Sequence, residues 1–282
     1  MVLVEDVMTT NPIVAQIPGG RNEVLKTMVK HNLTGLPVVK RSDGSLAGLI
    51  TRQDIFDKSE EDQLALIMNK RPEIIGPKET INKAAKVFKE KTIKHLPVVD
   101  GGNLVGIVTP TDLLEVVERE GGDIPVENVI FSPCVPIYQD APLAVALVTF
   151  KVSKATALPV LDNGGRLVGI LTDRDIFNKS HINGSVAISD LGIGHDEDDW
   201  TWEGLRNVMK LWYEVSKIEI PGLPVKDIMV PCPTTVFKKT SISEAARIMR
   251  RNDFGQLPVR DSKDRLLAMI YDVDIVSILV GE

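Results

Sequence analysis

Four times along this chain of 282 residues a Leu-Pro-Val tripeptide is followed, after a polar turn and a short apolar run, by an aspartate. The tripeptides begin at Leu36, Leu96, Leu158 and Leu257. The runs that follow are GLITRQD (Gly48 to Asp54), GIVTPTD (Gly106 to Asp112), GILTDRD (Gly169 to Asp175) and AMIYDVD (Ala268 to Asp274). Proline and aspartate are separated by 17, 15, 16 and 16 residues, and successive prolines lie 60, 62 and 99 residues apart. Such self-similarity constrains the fold more than any local propensity, because every copy must be the same supersecondary unit. The third interval carries an insertion of about 38 residues beyond the common period. The expected boundaries are 1–60, 61–120, 121–182 and 223–282 for the four copies, with the insertion at 183–222.

Each copy reads in the same order. A short strand comes first, expected at Pro12 to Ala15 in copy 1 and Thr234 to Phe237 in copy 4. A helix follows: Val24, Leu25, Met28 and Val29 share one face in copy 1, and Ile81, Ala84, Ala85 and Phe88 do so in copy 2. Ser241-Ile-Ser-Glu244 is a capping-box pattern opening the helix of copy 4. Two strands then pair across turns containing Asp43-Gly44, Gly101-Gly102 and Gly164-Gly165. A last helix is expected to begin at the aspartate. A unit of about 60 residues buries only a marginal core alone, so neighbouring copies are expected to pair.

Charge and cysteine content narrow the function. The chain has 33 basic and 39 acidic side chains, for a net charge of −6. This balance argues against nucleic acid, whose binding rests on neutralising phosphates. Cys134 and Cys232 belong to no CxxC or Cys/His cluster, so neither a disulfide framework nor a metal site is expected. That usage suits a reducing compartment, and a cytoplasmic location is expected. The opening MVLVEDVMTTNP shows no signal-peptide pattern, and no apolar run approaches a membrane span. No GxSxG, P-loop or HExxH motif occurs, so no enzymatic activity is expected.

The fourfold LPV–turn–GxxT-xx-D repeat resembles the CBS domain family. Four copies in one chain are similar to the nucleotide-sensing gamma subunit of AMP-activated protein kinase and to stand-alone archaeal quadruple-CBS proteins. The resemblance implies an α+β fold of four βαββα repeats, with copy 1 paired to copy 2 and copy 3 to copy 4 as two Bateman modules forming a disc. It implies a regulatory protein that senses adenine nucleotides (AMP, ADP or ATP) in clefts between copies and signals to a protein partner in trans. S-adenosylmethionine is the alternative ligand, and a ligand-free scaffold is the alternative class. A homo-oligomer is left open.

The candidate site residues follow from these positions. Thr51 with Asp54, Thr109 with Asp112, and Thr172 with Asp175 are candidate ribose contacts, since an ionised carboxylate accepts from both hydroxyls of a ribose. The competing reading is a helix cap, which the same spacing also builds. In copy 4 Tyr271 replaces the threonine, which weakens the case for Asp274. For phosphate, the resemblance points to Lys94 and His95 immediately before Leu96, with Arg52 and Arg174 as further candidates against a plain surface reading. Walls for the base are sought in Ile13, Val14, Ile74, Ile75, Val135, Ile137, Thr235 and Val236, against ordinary core packing. Gly35 is read as ending a helix rather than as admitting a ligand.

The insertion holds all three tryptophans, Trp200, Trp202 and Trp212. A helix is expected at about Thr201 to Lys217, with Leu205, Val208, Met209, Trp212 and Val215 as its apolar stripe. It is read as a docked helix or as a surface for a partner. His195 and the acids 196–199 are not read as a metal site.

Overall fold

The structure is a computed structural model, and it describes residues 2–58, 61–172, 174–175 and 223–280. The expectations for 183–222, including the tryptophan-bearing helix and His195, lie outside the described residues. Two compact units are formed. The first comprises Met1–Phe131, Lys238–Gln256 and Ile270–Glu282; the second comprises Ser132–Phe237 and Leu257–Met269. Copy 4 is therefore divided: its helices belong with copies 1 and 2, while most of its hairpin belongs with copy 3.

Copy 1 shows the plan of every copy. Strand β1 (Thr9–Thr10) is followed by β2 (Ala15–Ile17), α1 (Arg21–Lys30), β3 (Gly35–Lys40), β4 (Leu46–Thr51) and α2 (Arg52–Asp57). Strand β2 runs parallel to β3, with Ala15 opposite Val38, and β3 runs antiparallel to β4. A parallel neighbour requires a crossover, which α1 supplies by burying Val24, Leu25 and Met28. The hairpin turns on Gly44 at φ +70°, a left-handed conformation that costs glycine nothing. The first strand starts later than the pattern suggested, because only Ala15–Ile17 lies within hydrogen-bonding reach of β3.

Copy 2 contributes α3 (Leu64–Ile67), α4 (Ile81–Lys91), β5 (Leu96–Asp100), β6 (Asn103–Val108) and α5 (Pro110–Glu120). Ile75 takes the place of the first strand, in a parallel bridge with Val98. In the second unit copy 3 supplies β7 (Ile137–Tyr138), α6 (Leu143–Ser153), β8 (Ala157–Leu161) and β9 (Leu167–Thr172). Copy 4 supplies β10 (Val230–Pro231), β11 (Val236–Phe237), α7 (Ile242–Asn252), β12 (Gln256–Arg260), β13 (Leu266–Tyr271) and α8 (Asp272–Val276). In copies 1, 2 and 3 the register slips at one place, between Val38 and Val39, Val98 and Val99, and Val160 and Leu161. That recurrent irregularity bends the hairpin immediately after its proline. The second unit has its own core, in which Ile137, Ala146, Leu147, Phe150, Leu158 and Leu171 are buried.

Pairing within the first unit works by exchange. Strand β1, near the start of copy 1, lies antiparallel on β6 of copy 2, with Thr9 opposite Ile107. In return Asn69, near the start of copy 2, bridges Leu49 of copy 1 through two backbone hydrogen bonds of 2.9 Å. These crossings require a strand without side chains at one point. A Cβ on Gly48 would stand 2.5 Å from the Asn69 carbonyl oxygen, closer than any side chain tolerates. In the second unit β10 lies on β9 in the same manner, with Val230 opposite Ile170.

The helices of copies 2 and 4 share one packing code. Helix α4 buries Ile81, Ala84, Ala85 and Phe88, and α7 buries Ile242, Ala245, Ala246 and Met249. The i, i+3, i+4, i+7 spacing puts each set on one face, and the alanine pair permits close approach. Thr80 caps α4 by accepting from the Lys83 amide, and Ser241 caps α7 by accepting from the Glu244 amide. The reciprocal half of the expected capping box is replaced, because the Glu244 carboxylate pairs with Arg247. Across the contact between α5 and α7, Arg250 reaches Glu118 at 2.6 Å and Ser243 Oγ donates to the Val117 carbonyl at 3.4 Å.

Candidate nucleotide cleft

Thr51 and Thr172 end strands, Thr109 directly follows one, and each stands just ahead of the next helix. Thr51 therefore starts α2 at Arg52, two residues before the expected start, and Asp54 occupies the third helical position. There the carboxylate folds back. The Thr51 amide and hydroxyl both donate to Asp54 Oδ2, at 2.8 and 2.5 Å, and the Asp54 amide donates to Thr51 Oγ1 at 3.2 Å. Copy 2 repeats this: Thr109 donates to Asp112 Oδ2 from its amide at 2.7 Å and its hydroxyl at 2.8 Å. So does copy 3, with Thr172 and Asp175 Oδ2 at 2.8 and 2.6 Å. The cap is thus present in all three, but it uses one oxygen. Among the described residues none donates to Oδ1 of Asp54, Asp112 or Asp175, and all three aspartates are half-buried. Cap and ribose contact, rivals in the sequence, are compatible on a two-oxygen group. Burial raises the Asp112 carboxyl above the ordinary range, against the lowering by Thr109.

Copy 4 differs. Asp274 has no exposed surface, and both its oxygens are engaged: Oδ2 by the Tyr271 amide at 2.8 Å and Oδ1 by the Phe131 amide at 3.4 Å. Asp274 is a structural carboxylate, with no oxygen facing a ligand.

The candidate phosphate contacts do not form one cluster. Lys94 and His95 are neighbours in the short connection between α4 and β5, and their side chains meet different partners. His95 turns to copy 1. Its Nε2 lies 2.9 Å from Thr34 Oγ1, and its ring fills the space a Cβ on Gly35 would take, at 2.9 Å. Gly35 begins β3, several residues beyond the end of α1, so it admits this ring and caps no helix. Arg52, buried at the start of α2, donates its amide to the Thr34 carbonyl at 3.0 Å. Burial first, then the charges of Lys94 and Arg52, push the His95 imidazole down to about 4. His95 is therefore neutral at pH 7, and Arg52 is the cation beside it. Lys94 turns the other way, towards copy 4. Its ammonium stands 5.4 Å above the Tyr271 ring and 3.7 Å from Asp272 Oδ1. Arg174 is half-buried at the start of the helix after β9, in the second unit.

The apolar candidates divide the same way. Ile75, Ile137 and Val236 are buried core residues. Ile13 and Ile74 are exposed, at 40% and 53%, ahead of the parallel strand positions of copies 1 and 2. Val14 and Val135 are half-buried, and Thr235 Oγ1 accepts from Arg260 Nε at 2.8 Å. Sequence reasoning passed over Thr34 and Thr111. Nor does it single out Asp272, although aligning the repeats puts Asp272 at the position of Arg52. That reversal of charge was the available signal. Among the described residues no group of His, Cys, Asp or Glu suits a metal ion, and no helix is long and apolar enough to cross a membrane.

The CBS domain family matches residues 4–61, 63–119, 126–181 and 225–281. The chloroplastic CBS domain-containing protein CBSX1 of Arabidopsis thaliana is 33% identical over 124 residues, covering 44% of this chain and 50% of that protein. The chain thus spans about half the length of the first curated relatives it matches. Protein MJ1225 of Methanocaldococcus jannaschii is 26% identical over 191 residues, covering 61% of this chain and 68% of that one. The crystal structure of MJ1225, described as a proposed archaeal homologue of g-AMPK, superposes with a TM-score of 0.80 at 21% identity. It covers 98% of this chain and 99% of MJ1225. With four matched repeats spanning most of its length, the chain belongs to the CBS domain family.

Proposed function

We propose that this protein is a regulatory sensor that binds adenine nucleotides (AMP, ADP or ATP) in clefts between paired copies and signals to a protein partner in trans. The observation that carries the reading is the state of Asp54, Asp112 and Asp175. Each is fixed through Oδ2 by a strand-end threonine and keeps Oδ1 for a ligand. A carboxylate oxygen held in place can accept a hydrogen bond from each of two vicinal hydroxyls without reorganising, which suits a ribose. Between copies 1 and 2, Arg52 supplies a cation for a phosphate, and the exposed Ile13 and Ile74 supply apolar surface for a base. The family, the relative described as a proposed g-AMPK homologue and the lack of any catalytic motif support regulation rather than turnover. One observation favours S-adenosylmethionine as the second reading: Lys94 is already engaged by Asp272, which leaves fewer cations for a phosphate.

The test is calorimetric titration of the full chain, shown by mass spectrometry to be empty, with AMP, ADP, ATP and S-adenosylmethionine. The comparison is Asp54→Asn/Asp112→Asn/Asp175→Asn. An amide has one acceptor oxygen, which the threonine cap takes, so the fold is kept while the second acceptor is lost. A phosphorylated nucleotide is expected to bind the wild type and to weaken at least tenfold in the variant, from about 1.5 kcal/mol per lost charged hydrogen bond. Silence across the panel refutes the reading.

A further inference from the structure

Asp272 is a carboxylate in an unusual place. It is only 4% exposed, and it stands at the repeat position that Arg52, also buried, fills in copy 1. Its amide donates to the Gly255 carbonyl at 2.9 Å, as the Arg52 amide donates to the Thr34 carbonyl, so the two backbones are superposable in role. Its Oδ2 accepts from Thr111 Oγ1 of copy 2 at 3.4 Å. Its Oδ1 accepts from the Val273 amide at 2.8 Å and faces Lys94 Nζ at 3.7 Å. A buried carboxylate is costly to leave without a counter-charge, and Lys94 supplies one. The Tyr271 ring beneath the ammonium adds a second hold on it. The cation next to His95 in the chain is thus held by an internal anion of copy 4.

We infer that Asp272 is a specificity-determining residue that lowers the affinity of the cleft between copies 1 and 2 for phosphorylated ligands by holding Lys94 towards copy 4. This rests on the proposed nucleotide cleft and adds the source of its ligand preference. A phosphate reaches Lys94 only by displacing the Asp272 carboxylate, whereas the adenosine moiety binds without touching the pair. Ligand and internal carboxylate compete for one ammonium, so occupancy of the cleft by a phosphate also loosens the contact of copy 2 with copy 4. By linkage, whatever strengthens that contact weakens phosphate binding by the same factor.

The experiment measures the dissociation constants of AMP and adenosine for the full chain, Asp272→Asn and Lys94→Gln. The asparagine is isosteric and removes the charge: its oxygen keeps the Val273 amide, and its NH2 group donates to the Thr111 hydroxyl, which can accept. Asp272→Asn is expected to tighten AMP about tenfold and to leave adenosine within twofold. Lys94→Gln, which removes the shared cation, is expected to weaken AMP severalfold and likewise to spare adenosine. In Lys94→Gln/Asp272→Asn the gain from the asparagine is expected to vanish. An AMP-to-adenosine ratio that stays constant in both single variants overturns the inference while leaving the cleft intact. Failure of the wild type to bind either compound overturns the cleft itself, and this inference with it.

Discussion

Gly48→Val is expected to lower the free energy of unfolding by about 3 kcal/mol or more, and to do so by separating copies 1 and 2. The new Cβ would lie 2.5 Å from the Asn69 carbonyl oxygen and 3.0 Å from Met68 Sδ. The sulfur is the end of a flexible side chain and can yield. The carbonyl cannot, because it accepts the Leu49 amide while the Asn69 amide donates back to the Leu49 carbonyl. Moving the crossing segment therefore costs two backbone hydrogen bonds, about 1 kcal/mol each, in addition to overpacking of about 1–3 kcal/mol. Gly76→Ala is the control. Its Cβ would meet only Glu79 Cγ, at an ordinary 3.5 Å, and a change within about 0.5 kcal/mol is expected there. Equal shifts of the urea midpoint in the two variants would refute exchange as the basis of pairing.

Acid is expected to destabilise the protein through His95 between pH 6.5 and about 4. The imidazole is held at about 4 in the folded chain, against an ordinary 6.5. In that window the unfolded chain binds a proton that the folded chain refuses, so stability rises with pH. The contribution is complete above pH 6.5 and is lost as pH falls to about 4. It amounts to about 3 kcal/mol at most, at 1.36 kcal/mol per unit. The imidazole meets the Thr34 hydroxyl and is influenced by the charges of Lys94 and Arg52. Carboxylates elsewhere also respond to acid, so the reading is a difference. Urea midpoints of the wild type and His95→Gln are compared at pH 7.0, 5.5 and 4.5, values set about the ordinary histidine range. The glutamine retains a partner for Thr34. The wild type is expected to lose more stability than the variant as pH falls, and parallel losses would contradict the burial of a neutral imidazole.

The repeated Leu-Pro-Val and its glycine turns made the hairpins legible, because strand alternation, turn chemistry and repeat spacing all agree there. Helix α4 was legible for the same reason: Ile81, Ala84, Ala85 and Phe88 allow one face only. What sequence could not show depends on partners far along the chain. Strand β1 is two threonines with no pattern of its own, and it forms only because β6 offers an edge. Its trace was present in Met8, Met68 and Met229, each four residues before a proline, and in the glycines of copies 1, 2 and 3 that they cross. The division of copy 4 between two units left no mark on its repeat.

The candidate site was legible in its positions and misread in its directions. Thr51, Thr109 and Thr172 with their aspartates stand where the spacing put them, yet whether the carboxylate served the cap or a ligand turned on which oxygen was used. Lys94 and His95 looked like one basic pair. They meet different partners: His95 the Thr34 hydroxyl of copy 1, and Lys94 an aspartate of copy 4. No linear pattern contains that pairing; only the charge reversal between Arg52 and Asp272 hints at it.

The most direct test of the account is a crystal structure of the full chain grown with saturating AMP. Ribose hydroxyls within hydrogen-bonding distance of Oδ1 of Asp54 or Asp112, with the threonine still donating to Oδ2, is the predicted result. AMP lodged away from these carboxylates, or a ribose that displaces the threonine from Oδ2, would contradict it.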